Sequence, residues 1–202
     1  MTNRREFLQI GVTATAWPIV ARAAHAAGID DLTPSTTPLS AVVYDRRFAQ
    51  GVAFAERMAA LGIAAYAIDG DMTRLWYDEL HHRWQQSPSA IAGLTAHGPL
   101  FCFAELARDV RMRVVFRAEH RPDGGGIAHA VTGPVPMLAA ASSACGRPAT
   151  LGAAMADVVT QCPRGRSEIA STSLTSGATM LVGDVPDVDA LYTWVIAPAV
   201  RG

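Results

Sequence analysis

The chain has 202 residues, 50% of them apolar and 17% charged, with a formal net charge of −1. That balance supports one domain with a substantial core and excludes a disordered chain. Lysine is absent, so every basic residue is Arg or His, which excludes Schiff-base chemistry, a lysine general base and a Gly-Lys-Ser/Thr phosphate loop.

The N-terminus comes first. Residues 2 to 9 read Thr-Asn-Arg-Arg-Glu-Phe-Leu-Gln. A moderately apolar stretch follows over 10–21, then Arg22 and the small-residue sites Ala21-Arg22-Ala23 and Ala24-His25-Ala26. This order of basic, apolar and small-residue regions marks a cleaved export signal. The Arg4-Arg5 pair with Phe7-Leu8 resembles the twin-arginine (Tat) signal, departing from it at Asn3 and Gln9. The resemblance covers residues 1–26 only. It implies recognition by the Tat translocase, a periplasmic location, and folding, cofactor binding or partner assembly in the cytoplasm before export. Without those residues the mature part carries 14 Arg against 17 acids. A mildly acidic domain is a poor partner for nucleic acid. The mature form contains no run of 18 apolar residues, so no membrane-spanning helix is expected in it.

Residues 27–38 are rich in Pro, Ser, Thr and Asp and read as a linker. Beyond it, 39–202 reads as a single α/β domain. A strand is expected over 39–44, ending at Asp45, then a helix carrying Phe48, Val52, Ala55 and Met58 that stops at Gly62. A second strand over 63–68 leads through Asp69-Gly70-Asp71, with Asp71 capping a helix over 72–86. A third strand over 90–94 turns through Thr95 to Gly98 into a helix with Pro99 in its first turn. Met112, Val114, Phe116 and Ala118 then alternate with Arg111, Arg113, Val115 and Arg117, giving a strand with one apolar and one arginine face. Asp123 to Gly126 turns this strand into a hairpin with 127–131. Helices are expected over 137–144 and 150–161, the second capped by Thr150. Residues 163–176 read as irregular, 178–182 as a last strand, and Leu191, Trp194 and Val195 as a C-terminal helix capped by Asp187 or Asp189.

Strands alternating with helices indicate a three-layer α/β sandwich. The connections are long enough for parallel crossovers. The expected sheet is mostly parallel, in order 2-1-3-4, with an antiparallel hairpin strand at one end.

In such a sheet, ligands gather beyond the carboxyl ends of the strands at the switch in strand order. That edge carries Asp45, Arg46 and Arg47 after strand one, Asp69 and Asp71 after strand two, and Thr95, His97 and Gly98 after strand three. Asp45 can orient His97 as a general base with Thr95 alongside. Arg46, Arg47 and the Gly98 turn suit an anion, and Asp69 with Asp71 a cation. Each has a plainer role in capping or turn chemistry.

Other features are weighed the same way. His81 and His82 are adjacent and diverge on a helix. His120 and His129 approach across the hairpin, which is a two-ligand start for a metal but more often a surface pair, and no metal is expected. Trp76, Tyr77 and Trp84 mark a helix that packs on a core or on a partner. The arginine face suits a carboxylate ligand or an acidic partner. Cys145 and Cys162 can be bridged after export, whereas Cys102 reads as a buried small hydrophobe. There is no Gly-x-Gly-x-x-Gly, Gly-x-Ser-x-Gly or Cys-x-x-Cys, so no cofactor is expected in the chain itself. Two functions fit: an accessory subunit or escort of a larger cofactor-bearing oxidoreductase, or a small enzyme or binding protein acting on an anionic molecule at Asp45, Thr95 and His97.

Overall fold

The structure, a computed structural model, describes residues 36–177 and 189–199. The signal, most of the linker and the strand expected over 178–182 lie outside the described residues.

Seven strands form one mixed sheet: β1 Leu39–Asp45, β2 Ala65–Ile68, β3 Ala90–Thr95, β4 Met112–Asp123, β5 Gly126–Pro134, β6 Ile169–Ser176 and β7 Leu191–Pro198. Their order is β2-β1-β3-β7-β4-β5-β6. The β1–β2 and β1–β3 ladders are parallel, while those of β3–β7, β7–β4, β4–β5 and β5–β6 are antiparallel. This corrects the expected mostly parallel sheet of order 2-1-3-4. The strand beside β3 is not β4 but β7, which inserts between them. The hairpin therefore lies inside the sheet rather than closing one end.

The error lies in β7. Leu191, Trp194 and Val195 have helical spacing, but every residue from 191 to 197 is buried. An apolar run covered on both faces reads alike as central strand or buried helix, and Thr193, Val195 and Ile196 are the β-branched residues that favour the strand. The stretch 163–176, expected to be irregular, supplies β6, whose Ser- and Thr-rich sequence resembles a loop although it pairs with β5 along its whole length.

Helices α1 Ala49–Ala60, α4 Val135–Cys145 and α5 Leu151–Val159 cover one face. Phe54, Met58, Met137, Ala141, Leu151 and Met155 pack there on Val42, Leu94, Phe116, Ala118, Val131 and Val195. The opposite face carries α2, a continuous helical segment made of Thr73–Leu75, a π-helical stretch Trp76–Leu80, and His81–Gln86, together with α3 His97–Asp109. Trp76, Leu80 and Trp84 project from one side of α2 into a second core with Phe103, Trp194 and Ile196, while Tyr77 is exposed. Each such large side chain contributes about 1.5–3 kcal/mol by leaving water. Gly93 is required beneath Trp194, because a Cβ there would overlap the indole.

A bulge between Val114 and Phe116 divides β4. Met112 and Val114 enter the core under α2 and α3, whereas Phe116 and Ala118 enter the one under α1, α4 and α5. The single arginine face expected from the alternation is therefore split, since the extra residue of a bulge reverses the facing of all that follows. Arg113 and Arg117 end on opposite faces.

On the α2–α3 side the described helices reach β4 at Met112 and Val114, and none of them covers β5 and β6. Ala130, Thr132, Ser171, Ser173 and Thr175 are exposed there, beside Arg117, Glu119 and Arg121.

Candidate functional site

The strand edge does not assemble the expected catalytic set. Asp45 is fully buried, and its carboxylate is taken by Arg47. The guanidinium Nε donates to Oδ1 at 2.9 Å and NH2 to Oδ2 at 2.6 Å, and the Arg47 backbone N–H donates to Oδ1 at 3.2 Å. That hydrogen-bonded carboxylate in turn raises the Arg47 pKa. Gly70 has φ +96°, and the space a side chain would occupy there is filled by the Arg47 guanidinium. Arg46 pairs with Asp69 at 2.7 Å on the exposed rim.

Asp71 accepts the Thr73 N–H at the start of α2 at 2.8 Å, and hydrogen bonds from Thr73, the side chain's first and the backbone's second, hold its carboxyl below the ordinary range. The buried Thr95 hydroxyl donates to the Ala96 carbonyl at 2.9 Å and accepts from Trp194 Nε1 at 3.1 Å. His97 is exposed, its ring 6.2 Å from Phe101 and 5.4 Å from Tyr192, and Gly98 is exposed beside it. Among the described residues Asp45 and His97 form no hydrogen bond. The edge brings Asp45 to Arg47 and Arg46 to Asp69, and leaves His97 apart from both. A groove of about 400 Å³ beyond β2 is lined by Arg46, Asp69, Asp71, Arg74 and Asp78, and its Arg74 and Asp78 also pair with each other.

The denser constellation lies inside the fold. His120 on β4 and His129 on β5 are direct cross-strand partners, and both are buried, which corrects their reading as a surface pair. Their Nδ1 atoms stand 2.8 Å apart. His120 Nε2 lies 3.0 Å from the Thr193 hydroxyl on β7, and His129 Nε2 lies 3.1 Å from the Ser176 hydroxyl on β6. Four adjacent strands thus contribute to one chain of polar groups. Cys145, the last residue of α4, closes over it, with its Sγ and one nitrogen of each imidazole all within 4.8 Å of one another.

The electrostatics of this cluster follow from burial. His120 is pushed down to about 3, by loss of solvent first and by the charge of His129 second. His129 is lowered by burial, and the Cys145 thiol is pushed up to about 12 by burial. Both imidazoles are therefore neutral at pH 7, and the shared Nδ1···Nδ1 bond then dictates their tautomers. One ring carries its proton on Nδ1 and leaves Nε2 bare. The other leaves Nδ1 bare and carries Nε2–H. Thr193 and Ser176 hydroxyls, which both donate and accept, complete the chain in either direction.

No family of known proteins, no curated protein and no solved structure matches this chain.

The His pair was visible in the sequence through the Asp123–Gly126 turn, which sets 120 opposite 129. The participation of Cys145, Thr193 and Ser176 was not, because it depends on where α4 docks and on β6 and β7 being strands. Cys145, Cys162 and Cys102 are all free thiols, and Cys102 is exposed rather than buried. Cys145 and Cys162, which could have been bridged after export, are not joined.

Proposed function

We propose that this protein is exported through the Tat route to the periplasm and serves there as an accessory subunit or escort of a larger, cofactor-bearing oxidoreductase. The observation that carries the partner reading is the uncovered half-face of the sheet. Two adjacent strands, β5 and β6, present Ala130, Thr132, Ser171, Ser173 and Thr175 outward beside Arg117, Glu119 and Arg121 of β4, on the side where α2 and α3 cover the rest of the sheet. A shallow groove of about 400 Å³ runs along it, lined by Glu119, Arg121, Ala128, Ala130, Ser173 and Thr175. Small side chains on a flat sheet allow close approach by another protein, and the edge strand β6 carries no charge or proline of the kind that blocks strand addition. The Arg4-Arg5 signal supports the route: a pair that assembles before export needs only one signal, and this chain carries one.

Affinity capture of the tagged, exported protein from its own host, with an optical spectrum of the eluate, tests the reading. A stoichiometric larger subunit with flavin or haem absorbance is the expected result. A colourless single chain would defeat the partner reading, and unchanged export after Arg4→Lys with Arg5→Lys would defeat the Tat reading.

A further inference from the structure

We propose that His120 Nδ1, His129 Nδ1 and Cys145 Sγ form a closed three-coordinate site for one monovalent copper ion. This does not rest on the partner reading. One nitrogen of each ring and Cys145 Sγ, from β4, β5 and α4, lie within 4.8 Å of one another, and the two Nδ1 atoms face each other. Their outer shell is in place. A ligating imidazole requires its second ring N–H to be held, and both Nε2 atoms face hydroxyl oxygens, Thr193 at 3.0 Å and Ser176 at 3.1 Å. With both Nε2–H groups donating outward, both Nδ1 lone pairs turn to the same point.

The adjustment needed is small. In trigonal geometry, metal–nitrogen bonds of about 2.0–2.1 Å place two such nitrogens about 3.6 Å apart, and a metal–sulfur bond of about 2.3 Å places sulfur about 3.8 Å from each. The Nδ1 atoms now stand 2.8 Å apart, so the rings separate by roughly 0.8 Å and the Cys145 end of α4 moves inward.

Charge and ligand softness select the ion. Binding releases the thiol proton, so the site becomes a thiolate, two neutral imidazoles and the metal. With Cu(I) the sum is neutral, whereas a divalent ion leaves a net positive charge among fully buried residues, which a dry core disfavours. Thiolate and imidazole donors suit copper, and a His₂Cys set is a trigonal copper arrangement.

The test uses the full chain, folded in the presence of Cu(I) or of Zn(II), gel-filtered, and analysed for metal. Cu(I) should remain at about one ion per chain against a bicinchoninate buffer, with X-ray absorption showing two nitrogen neighbours and one sulfur neighbour. Cys145→Ala, which removes one atom from a buried position, and His129→Gln should each lower the Cu(I) affinity at least 10-fold, in line with loss of a ligand. Copper below one tenth of an equivalent on folded wild-type protein would overturn the proposal. So would equal uptake by the folded variants, or retention of zinc without copper. The absorption measurement needs no variant and decides the case if both variants fail to fold.

Discussion

Replacing Thr193 by Val and Ser176 by Ala, singly and together, tests whether the buried chain from β7 to β6 is continuous. Thr193 is fully buried and Ser176 is 6% exposed. Removing either hydroxyl leaves an imidazole Nε2 without its partner, at a cost of about 1–3 kcal/mol, with Ser176 at the lower end. The two hydroxyls contact different rings, so independent sites would give additive losses. The shared Nδ1···Nδ1 bond predicts otherwise. A single deletion lets both tautomers reverse together, so that the stranded nitrogen is the bare one. The double deletion removes that escape, since one of the two rings must carry an Nε2–H that faces nothing. The double variant should therefore exceed the sum of the singles by about 0.5–1 kcal/mol. Urea unfolding of the mature protein in chelator measures all four corners of the cycle. In a domain of this size each kcal/mol also lowers Tm by about 2–4 °C. Additive losses, or single losses under about 0.5 kcal/mol, would refute the continuous chain.

The same pair makes the metal-free protein acid-sensitive. The folded His120 pKa of about 3 lies below the unfolded value of 6.5, so the unfolded chain binds the extra proton between those limits. Stability is flat above pH 7 and falls as pH drops, by about 2 kcal/mol at pH 5. His129, shifted the same way, adds to the loss, and chemical denaturation at pH 7 and pH 5 measures it. Gln50→Ala should cost about 1–2 kcal/mol in a denaturant titration. The Gln50 amide accepts the Gly152 N–H at 2.8 Å and donates to the Pro148 carbonyl at 3.3 Å, capping α5 where Thr150 provides no side-chain bond. Asp45→Asn should lose about 2–3 kcal/mol, below the full cost of breaking a buried pair because Arg47 stays partly solvated. An unchanged denaturation midpoint would show that Asp45 is not structural and would return it to the list of catalytic candidates.

Local chemistry was legible wherever a pattern had one physical cause. Asp71 reads as a cap, and its carboxylate takes the Thr73 N–H one residue before the cap position of α2. The Asp123–Gly126 turn fixes the hairpin and with it the His120–His129 register. Trp76, Leu80 and Trp84 fall on the buried side of α2 as their four-residue spacing requires. Legibility ended where one pattern had two causes. The apolar spacing of the run from Leu191 fits both a central strand and a buried helix, with only its β-branched residues favouring the strand, and that ambiguity carried the sheet order with it. The alternation through Met112 to Ala118 contains no mark of the bulge, so the arginines seemed to share a face. Asp45 and Arg47 sit two residues apart and satisfy each other, a pairing that sequence position at a strand end does not distinguish from a catalytic role. The polar chain in the core stayed hidden because its outer members, Thr193 and Ser176, lie on the two strands that were misread.

The placement of β7 sets a clock for synthesis. It pairs with β3 on one side and β4 on the other, yet it follows both in the chain by more than sixty residues. Until it has left the ribosome, the parallel strands and the antiparallel strands are two fragments with no shared edge. A nascent chain can collect its helices and hairpin early, but the halves must wait unzipped, with the strand edges of β3 and β4 bare. Completion is therefore a late, all-at-once event.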